Sequence, residues 1–158
     1  MLKCLYYTLW IICIAALIVA AVTLVITGQP IQKPFAPPEF DSQAVVGVPD
    51  VADALGWQEL DAKAYRVGIC GLLIPKGNDV DVWFTNPKEN KVWLKVRVFN
   101  GNGDILGESG LIRPGEYLQT INLQTVPNSG STVALKIMAY EPETYYSAGA
   151  VTLTTQIS

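Results

Sequence analysis

The 158-residue chain contains no histidine, which removes the side chain that most often serves as general base or metal ligand near neutral pH. A Ser or Cys nucleophile here would lack the imidazole of a triad. Carboxylates, one body cysteine and a set of aromatic rings are what remain for chemistry. Asn100, Asn102 and Asp104 fall at alternate positions with Glu108 beyond, the spacing by which oxygen ligands enter a calcium loop. The twelfth position of that loop is Leu111, where a bidentate Glu is needed, and the first five positions supply a single carboxylate. A plain hairpin turn explains the same residues, so no metal or cofactor is expected. Asp79 and Asp81 share a strand face, where they would bind a cation weakly or, more simply, protect a solvated edge. Glu108, Glu116, Glu141 and Glu143 stand near turns or strand ends. Two-carboxylate hydrolysis needs a pair roughly 5–10 Å apart across a cleft, and the order of the chain sets no two of them across a groove. Cys70, in the apolar run YRVGICGLLI, reads as a buried inert thiol.

The aromatic residues carry more information. The stretch Tyr140-Glu141-Pro142-Glu143-Thr144-Tyr145-Tyr146 joins two expected strands, and Tyr provides rigid contact area at low entropic cost. Trp83 and Trp93, expected to point outward on neighbouring strands, would extend it. Trp83, Trp93, Tyr140, Tyr145 and Tyr146 therefore form the expected contact surface for a protein or glycan at the cell surface. The competing reading is that Tyr145 and Tyr146 cover the open end of the domain.

Those rings need strands to position them. From Tyr65 onward, apolar alternation of period two recurs between turn signals. The expected strands are Tyr65–Ile74, Asp79–Thr85, Val92–Phe99, Ile105–Ile112, Tyr117–Thr125, Thr132–Tyr140 and Ala150–Ile157. Val92, Leu94, Val96 and Val98 alternate most clearly, with Trp93, Lys95, Arg97 and Phe99 on the opposite face. Asn100–Asp104 and Arg113-Pro114-Gly115-Glu116 have turn chemistry. Seven short strands at roughly ten-residue spacing predict an all-β, antiparallel, seven-stranded sandwich of the immunoglobulin or fibronectin kind.

Ahead of this body lies a different composition. Cys4–Thr27 is a run of 24 residues without a charge, and about 20 apolar residues suffice to span hydrocarbon as a helix. It predicts one transmembrane α-helix, with a cleaved secretory signal as the rival. Tyr6, Tyr7 and Trp10 lie near one end, as interfacial rings do. Lys3 precedes the run and the bulk of the chain follows it, which favours a cytoplasmic N-terminus and an extracytoplasmic body. Residues 1–28 are thus expected to be the anchor and 29–49, with five prolines, a stalk; from Phe40 onward an arm packed on the domain is the competing reading. Residues 50–63 would form a short helical turn capped by Asp50 and ended by Gly56, with Trp57 and Leu60 folding back as a lid. Residues 64–158 are the β domain.

Charge and cysteines narrow the function. From Pro34 there are nine Lys and Arg against fourteen Asp and Glu, a net charge of −5. That argues against nucleic acid as a partner, since tracking phosphates takes a basic patch. Cys4 and Cys13 fall in the apolar run and Cys70 in the body, so no disulfide framework is expected.

PEFDSQAVVGVP, TNPKENKVWLKVRV, GLIRPGEYLQTINL and LKIMAYEPETYYSAGAVTL resemble segments of small single-pass membrane proteins of Gram-positive bacteria. The likeness runs from Pro38 to the end; it implies an N-terminal anchor, a short stalk, one β domain and an envelope location, and it brings no functional residue. Ile112-Arg113-Pro114-Gly115-Glu116 is also similar to the turn of bacterial immunoglobulin-like modules, although Tyr117 stands too close to Pro114 for a fibronectin tyrosine corner. The resulting expectation is a non-enzymatic, membrane-tethered module acting by contact, as an accessory of a surface assembly or a ligand-binding domain. The alternatives are an envelope hydrolase using acidic residues, or a subunit whose helix packs through Ala15, Ala16, Ala20 and Ala21.

Overall fold

A computed structural model describes Tyr7, Trp10, residues 12–17, Val19 and residues 35–158. The chain divides into two units, residues 1–36 and 37–158. In the first, Tyr7, Trp10, residues 12–17 and Val19 are helical and exposed. No helix among the described residues is long and apolar enough to cross a membrane. Most of the span expected over Cys4–Thr27 lies outside those residues, as do Ala20 and Ala21 of its small-residue face.

The second unit is β throughout, apart from a single 3₁₀ turn at Asp53–Leu55. Among the described residues it has ten strands: β1 (Val45–Val46), β2 (Trp57–Ala62), β3 (Tyr65–Cys70), β4 (Leu72–Lys76), β5 (Asp79–Asn86), β6 (Trp93–Phe99), β7 (Ile105–Glu108), β8 (Glu116–Asn122), β9 (Thr132–Tyr140) and β10 (Ser147–Ile157). They form one curled sheet, ordered β1-β8-β5-β4-β10-β9-β6-β7, with β3 also paired to β5 and β2 to β3. The halves meet at β4. It runs antiparallel to β5, Ile74 opposite Asp81, and parallel to β10, Leu72 opposite Gln156.

The alternation in the sequence decides which face turns inward. Val80, Val82 and Phe84 of β5, Leu94, Val96 and Val98 of β6, and Val133, Leu135 and Ile137 of β9 join one buried cluster drawn from both halves of the sheet. A fully buried side chain such as Phe84 contributes about 1.5–3 kcal/mol through removal from water, and this shared core keeps the sheet curled. Asn86, wholly buried, ties the halves by polar means. Its Nδ2 donates to the carbonyls of Val92 and Ile112 at 2.9 and 3.0 Å, and its Oδ1 accepts from Asn90 Nδ2 at 2.7 Å.

The expected strand over Tyr65–Ile74 is in fact two. At Gly71 the N–H turns to the Gly56 carbonyl, 3.0 Å away, and the chain leaves β3's ladder with β2 and β5 to run between β5 and β10. The expected lid is also a strand: β2 pairs along β3, with Trp57 opposite Cys70 and Ala62 opposite Tyr65. Its 3₁₀ turn takes Ala52 as N-cap with no side-chain cap, rather than Asp50, and ends at Gly56 with φ 60°. Ile105–Ile112 is shorter than expected, because β7 stops at Glu108 and only isolated bridges at Leu111 and Ile112 follow.

From Phe40 the Pro-rich segment lies on the body as an arm. Phe40 bridges Leu111 in parallel, and Val45–Val46 pairs with β8. Asp41 Oδ2 accepts the Gly110 N–H at 2.8 Å. Gly110 passes so close beneath that a Cβ there would meet the backbone N of Asp41 at 2.5 Å and its Cα at 2.6 Å. Gly110→Ala is expected to lower unfolding free energy by about 1–3 kcal/mol through overpacking. Gly101→Ala, with open space around it, should change little; paired urea melts measure the difference.

Candidate contact surface

Trp93 opens β6 on its outward face, directly opposite Tyr140 of β9. Two rings of its own chain engage it edge to face: Phe40 of the arm at 4.8 Å between centroids and Tyr145 at 5.2 Å. The Arg113 guanidinium lies over Phe40, 3.6 Å from the ring centroid, within cation–π range. Tyr140 Oη reaches Met138 Sδ at 3.8 Å. Tyr146 stands clear of this cluster with 71% of its surface exposed.

The loop bearing Tyr145 and Tyr146 is held tightly. Its backbone bonds run from Tyr145 N–H to the Glu141 carbonyl at 3.0 Å and from Glu141 N–H to the Tyr146 carbonyl at 2.8 Å. Glu143 (φ 67°) and Tyr145 (φ 56°) occupy the left-handed region, which is costly for a bulky side chain. The Trp93 contact helps to offset that cost. Four of the five residues expected at the surface, Trp93, Tyr140, Tyr145 and Tyr146, thus come to one end of β6 and β9. Phe40 and Arg113 complete the cluster; sequence reasoning missed both because a parallel bridge 71 residues long in chain separation leaves no periodic signal.

Trp83 does not join them. It sits at a bulge of β5 between Asp81 and Phe84, with φ 46°, and β5 is in the other half of the sheet from β6. Its ring stacks on Tyr117 at 6.0 Å, and its carbonyl accepts the Trp57 indole N–H at 3.0 Å. Trp57 in turn covers Gly68, where any Cβ would strike its ring.

Next to the aromatic end, a shallow polar cleft of about 470 Å³ lies between the arm and β6–β7, lined by residues including Phe40, Asp41, Lys95, Glu108 and Ser109. Lys95 is almost fully buried and gives its ammonium to Glu108 Oε1 at 2.9 Å, while Arg97 Nε reaches Oε2 at 2.6 Å. Burial acts to raise the Glu108 pKa, but the hydrogen bonds from Lys95 and Arg97, with their charges, outweigh it and hold it below its ordinary value. Ser109 Oγ accepts the Val96 N–H at 3.0 Å and donates to the Gly110 carbonyl at 2.7 Å. Its hydroxyl proton is therefore engaged by a carbonyl, not by a base.

The other expected chemical groups have structural work. Asn100 Oδ1 accepts the N–H groups of Asn102 and Asp104, and its Nδ2 donates to Asp104 Oδ2, each at 2.9 Å; the loop is a turn closed by its own side chain. Glu116 Oε2 accepts the Arg113 N–H at 2.6 Å, and Glu141 Oε2 accepts from Thr144 at 3.3 Å. Asp79 takes Asn122 Nδ2 at 2.9 Å. Asp81 departs from the expected solvated edge: β5 is an interior strand, and Asp81 is buried with Lys76 at 2.7 Å on Oδ2. Burial, and then the charge of Asp81, push the buried Cys70 thiol up to about 11. Among the described residues no group of three or more His, Cys, Asp and Glu is arranged to hold a metal.

No family model, curated protein or solved structure matches this chain.

Glu108→Gln leaves buried Lys95 without its carboxylate and should cost about 1–2 kcal/mol at neutral pH, a figure discounted for the partial exposure of Glu108. Because the folded pKa is depressed, this stabilisation is complete above the ordinary value of 4.5 and disappears as pH falls through the lowered one. Chemical unfolding of both forms should show their stabilities converging on acidification. Cys70 should resist a thiol reagent at pH 8 in the folded chain and react on unfolding.

Proposed function

We propose that this protein is a membrane-tethered, extracytoplasmic β-sandwich of immunoglobulin or fibronectin type, which works by holding a protein partner against the aromatic end of β6 and β9. The tether is supported by the uncharged run Cys4–Thr27. The sandwich assignment is supported by the path of β4, which first runs parallel to the last strand at Leu72 and Leu73 and then crosses to pair antiparallel with β5 from Ile74 to Lys76. Resemblance to small anchored proteins of Gram-positive bacteria agrees with both.

One observation carries the contact reading. Three interlocked rings with Arg113 over one of them gather at one end of β6, and exposed Tyr146 follows Tyr145 on the adjoining loop; Trp, Tyr and Arg are the residues that dominate binding energy at protein interfaces. A protein is favoured over a glycan because Trp93, the broadest ring, is already engaged by Phe40 and Tyr145, which leaves only the smaller Tyr146 ring open in this group.

External protease applied to intact cells should remove the body, and protection of the body would place it on the cytoplasmic side. Tyr146→Ala combined with Arg113→Ala should weaken retention of the partner by about tenfold or more, on the scale of one interface hot spot. Binding of peptidoglycan fragments by the wild type, lost in the same variant, would replace the protein partner with a glycan.

A further inference from the structure

A sheet edge offers unpaired N–H and C=O groups to any other strand, and folded proteins blunt such edges by shortness, charge, Pro or bulges. Most edges of this sheet follow that rule. β1 has two residues; β7 has four and ends in Glu108; β2 carries Glu59 and Asp61. β10 does not. It is eleven residues long and pairs along one side with β9, but on the other side meets β4 only at Gln156 and Ile157. Among the described residues, Ala150 to Thr154 have no backbone partner on that side, and Thr155 Oγ1 donates to the Gly71 carbonyl.

The composition of this strand is equally unusual. Ser147–Ile157 contains no charge and no Pro, and every other strand of four or more residues carries at least one charged side chain. The one bulge falls at its start, between Ser147 and Gly149. Val151 and Leu153 turn toward the core yet are only partly buried, while Ala150, Thr152 and Thr154 are exposed on the opposite face. The core is therefore incompletely covered along this flank.

We infer that β10 is a pairing edge for a second copy of this chain, with β10 and its symmetry mate antiparallel about a two-fold axis at Thr152. The strand is its own complement in that register. Val151 comes opposite the partner's Leu153, Ala150 opposite the partner's Thr154, and Thr152 opposite the partner's Thr152. Apolar residues thus continue the core face, and threonines meet on the wet face, where such cross-strand pairs are favourable. Charge selects the occupant. The body is acidic at −5 from Pro34 onward, so two copies repel through most of their surface, but an uncharged edge brings no like charges together. A foreign strand of either sign would find no countercharge here. A C₂ pairing also closes on itself and uses up both edges, so it does not propagate into a fibre. This surface is separate from the Trp93 cluster, so either can fail without the other.

Hydrogen exchange on the purified full chain tests the proposal, because it reads the edge itself and not association by some other segment. Amides between Ala150 and Thr155 should become more protected as protein concentration rises from micromolar to submillimolar. Thr152→Lys sets two like charges directly opposite each other at the axis and should abolish that concentration dependence, while at low micromolar concentration, where pairing adds no stability, the melting temperature should match the wild type. Thr152→Ser should retain it. Exchange independent of concentration in the wild type, or protection that survives Thr152→Lys, would overturn the inference. Protection seen only after a different strand-bearing protein is added would overturn it as well.

Discussion

Glu39 and Asp41 bracket a short backbone bridge to Leu111, with Leu111 N–H donating to the Glu39 carbonyl at 2.8 Å and Asp41 N–H donating to the Leu111 carbonyl at 2.9 Å. The outer surface at this end of the molecule depends on that bridge. It sets Phe40 against Trp93 and beneath Arg113. It also closes one wall of the polar cleft, whose floor is the buried Lys95. Gly110 is the residue that permits the approach, since a side chain there would collide with the arm's backbone. A local backbone contact thereby organises both the rings and the ion pairs around Glu108.

The larger architecture follows from β4. Its first two residues pair with β10 and its last three with β5, so the two halves of the sheet close over a common core instead of splaying apart. Because β4 touches β10 only at its last residues, the same connection leaves most of the final strand with an open side. Closure of the core and exposure of the β10 edge are consequences of one crossing.

Much of this was legible in the sequence where a local pattern reports a local fact. Val92–Phe99 alternates strictly, and its inward set and its outward Trp93 are as the alternation predicts, although Lys95, expected on the wet face with Trp93, is buried. The Arg113–Glu116 turn closes through the Glu116 N–H to the Arg113 carbonyl at 3.0 Å, with Gly115 at φ 82°, as its residue types require. Reading failed where a distant partner decides the outcome. Period two sends Trp83 outward beside Asp81, but a bulge turns its backbone, and strands on both sides of β5 bury Asp81. Tyr65–Ile74 looks like one apolar run because the break at Gly71 is set by Gly56, 15 residues earlier in the chain. The aromatic surface was half legible for the same reason: Tyr145 lies a short loop from Tyr140, whereas Phe40 and Arg113 reach Trp93 only through tertiary pairing.

The contact account is tested most directly by a photo-crosslinking side chain placed at position 146 in living cells, with the same group at exposed Gln119, on the other half of the sheet, as the control. Adducts of one discrete size from position 146, absent from position 119 and lost when Arg113→Ala is added, are what the account predicts. The same adducts from both positions, or none from position 146, would contradict it.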